Sequence, residues 1–287
     1  MMQVLKILMN FMFGSFLIRT GVKKPLPDVK IEKIAEQPRE KQVEVLIEEK
    51  PKVFMNITDK FLEKGEYFDE VFEKNVFYLH HTAGGHRADW VIAGWDVDDN
   101  VDSQGKKTPR SVATSYVIGG TSTRDSNDTK FDGQVYRCFD DKLWSHHLGT
   151  TQKNNRQLNR NSIGVEICNY GQLTKSSDGK FYTYVNTVVP NSMVIELQKP
   201  FRGFRFYHRY TDKQIASTKE LILAMKAKYP KISLRTPLLT VDGFDINQDA
   251  QLGVSGVYTH SNVRKDKFDC SPQPKLIAML KEICSPI

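Results

Sequence analysis

His80, His260 and Asp269 are the residues of this chain whose types and surroundings point most directly to chemistry. They stand in the segments Leu79-His80-His81-Thr82-Ala83-Gly84 and Thr259-His260-Ser261-Asn262 through Lys267-Phe268-Asp269-Cys270. Two imidazoles and one carboxylate form a three-ligand zinc set that leaves a fourth position for water. That is the composition of a hydrolytic metal centre, not of a closed structural one. Strand alternation sends His80 and His81 to opposite faces, so only one of the pair can reach a metal. Lys267 is two residues before the carboxylate. A lysine fixed beside a metal can donate to a developing oxyanion; the competing reading is a solvated lysine in a basic loop with Arg264 and Lys265. Glu166 shares a strand with Ile163, Val165 and Ile167. A carboxylate there is costly unless paired or functional. It reads as a general base for water, or as the structural partner of a basic side chain.

The elements that must position these groups can be read from pattern. Val76 to Leu79 is a short apolar run ending at the first histidine, as a buried strand would be. Ala113 to Ile118, Gly133 to Phe139 (after the Asp132-Gly133 turn) and Ser162 to Cys168 read as further strands. Trp90 to Gly94 reads as a helical turn. Thr211 to Tyr229 has a start signal and apolar residues at Ile215, Leu221, Ile222 and Met225, which predicts a helix. Pro274 to Ile283 predicts a closing helix. Helical patterns also appear around 58–62 and 67–72. Strands mixed with helices in this order predict an α/β domain with a central mixed sheet flanked by helices.

These motifs resemble the zinc-dependent N-acetylmuramoyl-L-alanine amidases, the type 2 amidases that include phage endolysins and peptidoglycan recognition proteins. The resemblance rests on five segments in the family's order across roughly residues 75–284. They are Leu79 to Ala83, Trp144-Ser145-His146-His147-Leu148-Gly149, Asn161 to Ile167, the helix from Tyr210, and Gly256 to His260 with Lys267-Phe268-Asp269. It selects His80 over His81 as ligand, and its Lys-x-ligand spacing falls on Asp269, not on the softer neighbour Cys270. It implies zinc as cofactor, peptidoglycan as partner, and cleavage of the amide between N-acetylmuramic acid and L-alanine, with Glu166 and Lys267 catalytic. Thr82, Trp144, His147 and Asn169 form the candidate substrate-binding set; Trp144 and His147 fit a core position equally well. The sequence departs from the family pattern at Cys270-Ser271-Pro272, where Pro-Gly is usual, and at Ser115, where many members carry a His or Tyr. The stretch from Tyr170 to Arg209 exceeds a minimal member and is expected to shape substrate choice. The rival reading is a non-catalytic peptidoglycan-binding module, or a structural phage-particle component carrying such a domain.

The chain has 287 residues, long enough for one large domain, expected at 53–287, and an extension, expected at 1–52. Apolar content of 39% and a mildly negative mean hydropathy fit a globular protein. The net charge of +7 favours anionic partners, but no aromatic-basic nucleic-acid motif accompanies it, so nucleic acid is not expected. Cys138, Cys168, Cys270 and Cys284 form no disulfide framework. Residues 1–20 are apolar with Leu5, Leu8, Met9, Met12, Phe16 and Leu17 at helical spacing, too short for a comfortable span and without a clear cleavage site. They read as an amphipathic anchor or a docking arm for a membrane or phage particle. Residues 21–52 read as a charged, proline-broken linker, with one short element near 42–47. A phage lysin, moving from host cytoplasm to cell wall or carried in the virion, fits these features; a secreted or periplasmic location fits as well.

Overall fold

A computed structural model describes residues 56–97, 99–101, 103–125 and 127–287. The expected anchor, the linker with its element near 42–47, and the boundary at residue 53 lie outside the described residues. The central sheet is built from β1 (Ile57–Asp59), β2 (Val76–His81), β3 (Tyr116–Ile118), β4 (Val135–Arg137) and β5 (Ser162–Ile167). A second sheet holds β6 (Gln172–Lys175), β7 (Phe181–Tyr182), β8 (Val188–Val189), β9 (Val194–Phe201) and β10 (Phe204–His208), before β11 (Gly256–Thr259) returns to the first. The six-stranded sheet runs β1-β4-β3-β5-β2-β11. It is mixed: β3 and β4 are antiparallel, and the other neighbours are parallel. The α/β class and the flanking helices are as the pattern predicts.

Alternation assigns the two faces of this sheet. Phe77 and Leu79 of β2, with Ile163, Val165 and Ile167 of β5, pack with Leu221, Ile222 and Met225 of α3 (Asp212–Lys228) and Leu276 and Leu280 of α6 (Pro274–Ile283). α3 begins with the capping box its sequence announces: Thr211 Oγ1 accepts from the Gln214 N–H, and Gln214 Oε1 accepts from the Thr211 N–H. Pro274 at the first turn suits α6, where its missing N–H costs nothing. The opposite face carries Tyr78, His80, Gly164 and Glu166. It is covered in part by α1 (Ala88–Trp95), whose Ala88 and Ile92 pack with Val117 and Cys168. Around it also lie the short helices α2 (Asn155–Arg160), α4 (Gln248–Leu252) and α5 (His260–Val263).

Two expectations fail. Residues 58–62 are not helical: Ile57–Asp59 pairs in register with Val135–Arg137, and that edge pairing overrides local propensity. Residues 67–72 form no helix either, because Phe68 bridges to Trp144 and stacks on its indole at 4.0 Å between centroids. The stretch 170–209 is not a plain loop. It folds as a five-stranded antiparallel sheet, β8-β7-β6-β10-β9, with a small core of Leu173, Phe181 and Val189. Among the described residues no helix is long and apolar enough to cross a membrane.

Candidate metal centre

The three expected ligands meet at the carboxyl ends of two neighbouring strands, where ligands of open α/β sheets characteristically bind. His80 is the last residue but one of β2, on the face opposite α3. β11 pairs with β2 so that Thr259 lies beside Leu79, which puts His260, the first residue of α5, next to His80. The loop after α5 folds back, with the Ser261 N–H donating to the Asp269 carbonyl at 2.8 Å. Asp269 is thereby returned to the histidines. His80 Nδ1 lies 3.1 Å from His260 Nδ1 and 3.3 Å from Asp269 Oδ2, and His260 Nδ1 lies 3.0 Å from the same oxygen. All three residues are buried.

What faces the centre follows from what the other side of each ring does. His260 Nε2 lies 2.8 Å from the Leu148 carbonyl. A carbonyl only accepts, so Nε2 carries a proton, and the tautomer protonated there alone turns a bare Nδ1 inward. His80 Nε2 lies 3.0 Å from His147 Nδ1. His147 Nε2 in turn lies 2.8 Å from Ser162 Oγ, which donates to the Asn159 carbonyl at 3.4 Å. Donation along this series satisfies every group and leaves His80 Nδ1 bare as well. Burial, helped by the nearby His260, pushes the His80 pKa down to about 4 against the pull of Asp269, so the ring is neutral at pH 7. Burial alone would raise Asp269, but the adjacent His260 and His80 hold its carboxyl well below the usual range, so it is ionised. With both rings protonated only on their outer nitrogens, three lone pairs converge, one of them anionic. Donors about 2.0–2.1 Å from a tetrahedral zinc stand about 3.3 Å apart. The observed separations of 3.0 to 3.3 Å fit that ion.

Glu166 pairs in register with His80 on the neighbouring strand, so both side chains leave the same face. Its Oε2 is buried and has no hydrogen-bond partner among the described residues. Burial, reinforced by the charge of Asp269 and opposed by Lys267, holds its pKa well above the usual carboxylate value. Among the described residues no basic side chain forms an ion pair with it. Lys267 is half-buried, and its charge acts on both Glu166 and His80.

The second histidine of the pair turns away, its Nδ1 3.0 Å from the Tyr210 hydroxyl. Cys270 stands apart from the ligand cluster: its buried thiol sits in the α3–α6 core beside Tyr210, and burial pushes its pKa well up. Ser115 is buried near the edge of the same face. The substrate set needs correction. Trp144 is buried under Phe68, with Nε1 donating to Glu70 at 3.3 Å. Asn169 is buried, its amide donating to the His208 carbonyl and its oxygen accepting from the Gly171 N–H. His147 has both ring nitrogens engaged and orients His80, a role of the kind that tunes metal ligands. Thr82, like His147, keeps partial exposure. Its Oγ1 accepts from the N–H groups of Gly84 and Asn169 and pins the loop at the strand ends.

Sequence reasoning missed the roles of His147 and of the Leu148 carbonyl. One signal was available: Gly164 inside an apolar strand. A Cβ there would come within 2.9 Å of the His147 ring, so this glycine marks a close approach.

No curated protein matches the chain closely. Solved structures give distant likenesses. PlyL is 13% identical over 80% of this chain and 98% of its own, at a TM-score of 0.42. A selenomethionine derivative of AmpD is 14% identical over 81% and 97%, also at 0.42. AmpDh3 from Pseudomonas aeruginosa is 19% identical over 79% and 67%, at 0.38. The sequence profile of N-acetylmuramoyl-L-alanine amidases matches residues 73–272, a span that takes in all three clustered ligands, Glu166 and Lys267. The chain belongs to the N-acetylmuramoyl-L-alanine amidase family.

Proposed function

We propose that this chain is a zinc-dependent peptidoglycan amidase that cuts between the lactyl group of N-acetylmuramic acid and the L-alanine of the stem peptide. Family membership supports the amidase activity. The observation that carries the zinc reading is the convergence of two imidazole nitrogens and one carboxylate oxygen within 3.0 to 3.3 Å, on rings whose outer nitrogens are already engaged elsewhere. Such a cluster is unfavourable until a cation enters it.

His80, His260 and Asp269 would hold the ion, with His147 and the Leu148 carbonyl fixing the two rings. Zinc supplies Lewis acidity at the scissile carbonyl and lowers the pKa of water toward neutrality. Glu166 takes the proton of the attacking water at its unpartnered oxygen. Its raised pKa makes it a stronger base than an ordinary carboxylate. The Lys267 ammonium faces the carbonyl oxygen as negative charge builds on it. Glu166 then returns the proton to the departing nitrogen, and the free amino terminus of L-alanine leaves.

Metal content and muropeptide release, measured on wild type and His260→Ala, test this reading. One zinc per chain with new L-alanine amino termini, both lost in the variant, is the expected result. Zinc without release points to a peptidoglycan-binding module; a wild type that takes up no zinc overturns the ligand assignment.

A further inference from the structure

The inserted sheet contacts the loop that carries the metal ligands through the turn between β9 and β10. β9 and β10 are joined by a two-residue turn, Arg202-Gly203, with Phe201 paired to Phe204 across it. Both turn residues have positive φ, 48° at Arg202 and 87° at Gly203. A turn of this hand favours Asn-Gly and costs an ordinary side chain strain at its first position. An arginine there calls for a compensating role, and its contacts supply one.

The Arg202 side chain is only 9% exposed. Nη1 donates to the Arg264 carbonyl at 3.0 Å and to the Lys265 carbonyl. Nη2 donates to the Ser261 carbonyl at 2.9 Å and to Asp245 Oδ1 at 2.8 Å. The guanidinium therefore gathers three backbone carbonyls of the segment between His260 and Lys267. Ser261 directly follows one metal ligand. The Arg264 carbonyl also accepts from the Lys267 N–H at 3.3 Å, so the same oxygen joins the arginine to the catalytic lysine. A second contact backs the first: the rings of Phe204 and Phe268 meet edge to face at 5.6 Å, and Phe268 precedes Asp269.

We propose that Arg202 is a positioning residue, through which the insertion braces the loop carrying His260, Lys267 and Asp269. A planar fork with five donors can hold several carbonyls at fixed angles, which an ammonium on a flexible stem cannot. The brace acts on ligands it never touches, as outer partners of metal sites do. Its consequence for zinc rests on the metal reading above; its consequence for loop order does not.

Arg202→Asn separates the brace from the turn, because asparagine suits the left-handed position and keeps the hairpin. Two measurements on the full chain test it: backbone hydrogen exchange in the metal-free protein, and zinc affinity by competition with a chelator. We expect the amides of 261–268 to exchange at least about 10-fold faster in Arg202→Asn, with those of β2 and α3 unchanged. Zinc affinity should fall by about 10- to 100-fold, and Arg202→Lys should recover part of both losses. Unchanged exchange at 261–268 overturns the proposal. So does a loss confined to β9 and β10 with a lower thermal midpoint, which is what a purely structural arginine would give. A wild type that binds no zinc defeats the amidase mechanism, while the exchange comparison still decides the brace.

Discussion

β2 joins two buried polar clusters that differ in kind. Just before its first residue, the buried Lys74 donates to the carbonyls of Leu143 at 2.7 Å and Arg160 at 2.6 Å. Nearby, the buried Asp141 accepts from the hydroxyls of Tyr116 and Tyr229 and from Lys228 Nζ at 2.6 and 2.9 Å. Donors there meet acceptors. At the other end of the strand, His80 turns Nδ1 toward His260 Nδ1 and Asp269 Oδ2, a meeting of acceptors when both rings are protonated on their outer nitrogens, and Glu166 Oε2 has no partner among the described residues. The contrast recurs between consecutive residues. Burial lowers His80 and His81 alike to about 4, but the His81 ring meets a hydroxyl and the His80 ring meets lone pairs. Burial of a polar group therefore does not mark function. Burial among groups that cannot satisfy one another does, because such an arrangement persists only if something outside the chain completes it.

The sharpest way to break this comparison is to remove the anionic acceptor. Asp269→Asn keeps the shape and deletes the charge. Loss of a group that merely orients a ligand costs about 10- to 100-fold in metal affinity, so loss of a ligand should cost more, and activity should vanish with the metal. Zinc titration of the variant checks this. Retention of wild-type affinity would show that the cluster is an ordinary buried network like the one around Asp141.

Glu166→Gln sharpens the comparison within the unsatisfied end. The variant should keep its zinc and lose activity by about 10²- to 10⁴-fold, the usual contribution of a general base. The metal-free variant should be no less stable than wild type, since the carboxylate it replaces is desolvated and unpaired. Chemical denaturation beside an activity assay reads both. A variant that unfolds easily would mean that Glu166 holds the sheet together.

Much of this site is legible in sequence because strand ends carry it. The runs Val76–Leu79 and Gly256–Thr259 are apolar and stop at a histidine, and Glu166 is conspicuous among Ile163, Val165 and Ile167. The helices α3 and α6 announce themselves by a capping box and a first-turn proline. What is not legible depends on contacts across the chain. His147 is separated by 67 residues from the ring it orients. Residues 58–62 look helical until β4 is beside them. The inserted sheet escaped notice because its strands are short, although Asp178-Gly179 and Arg202-Gly203 are turn pairs between runs rich in aromatic and β-branched residues. Lys74 is one lysine among many in a basic chain, and nothing local says that it is buried.

The smallest effect probes the satisfied end. Burial pushes the Lys74 pKa down to about 7, against the attraction of Asp141, whereas in the unfolded chain a lysine titrates near 10.4. Between those two values the unfolded state binds the proton and the folded state has released it. Stability carried by this group must therefore rise as pH rises from about 7 toward 10. One such proton changes the unfolding free energy by at most about 1.4 kcal/mol per pH unit. Lys74→Met removes the titration, and all other groups remain common to both proteins. Denaturant unfolding of the two metal-free proteins at pH 7.5, 8.5 and 9.5 should show wild type gaining on the variant by roughly 1 kcal/mol at each step. Parallel curves would mean that Lys74 stays charged in the fold, held by Asp141 and its two carbonyls. The satisfied cluster would then be an ion-pair network, and the two ends of β2 would differ in the sign of the charge they hold as well as in whether their hydrogen bonds are complete.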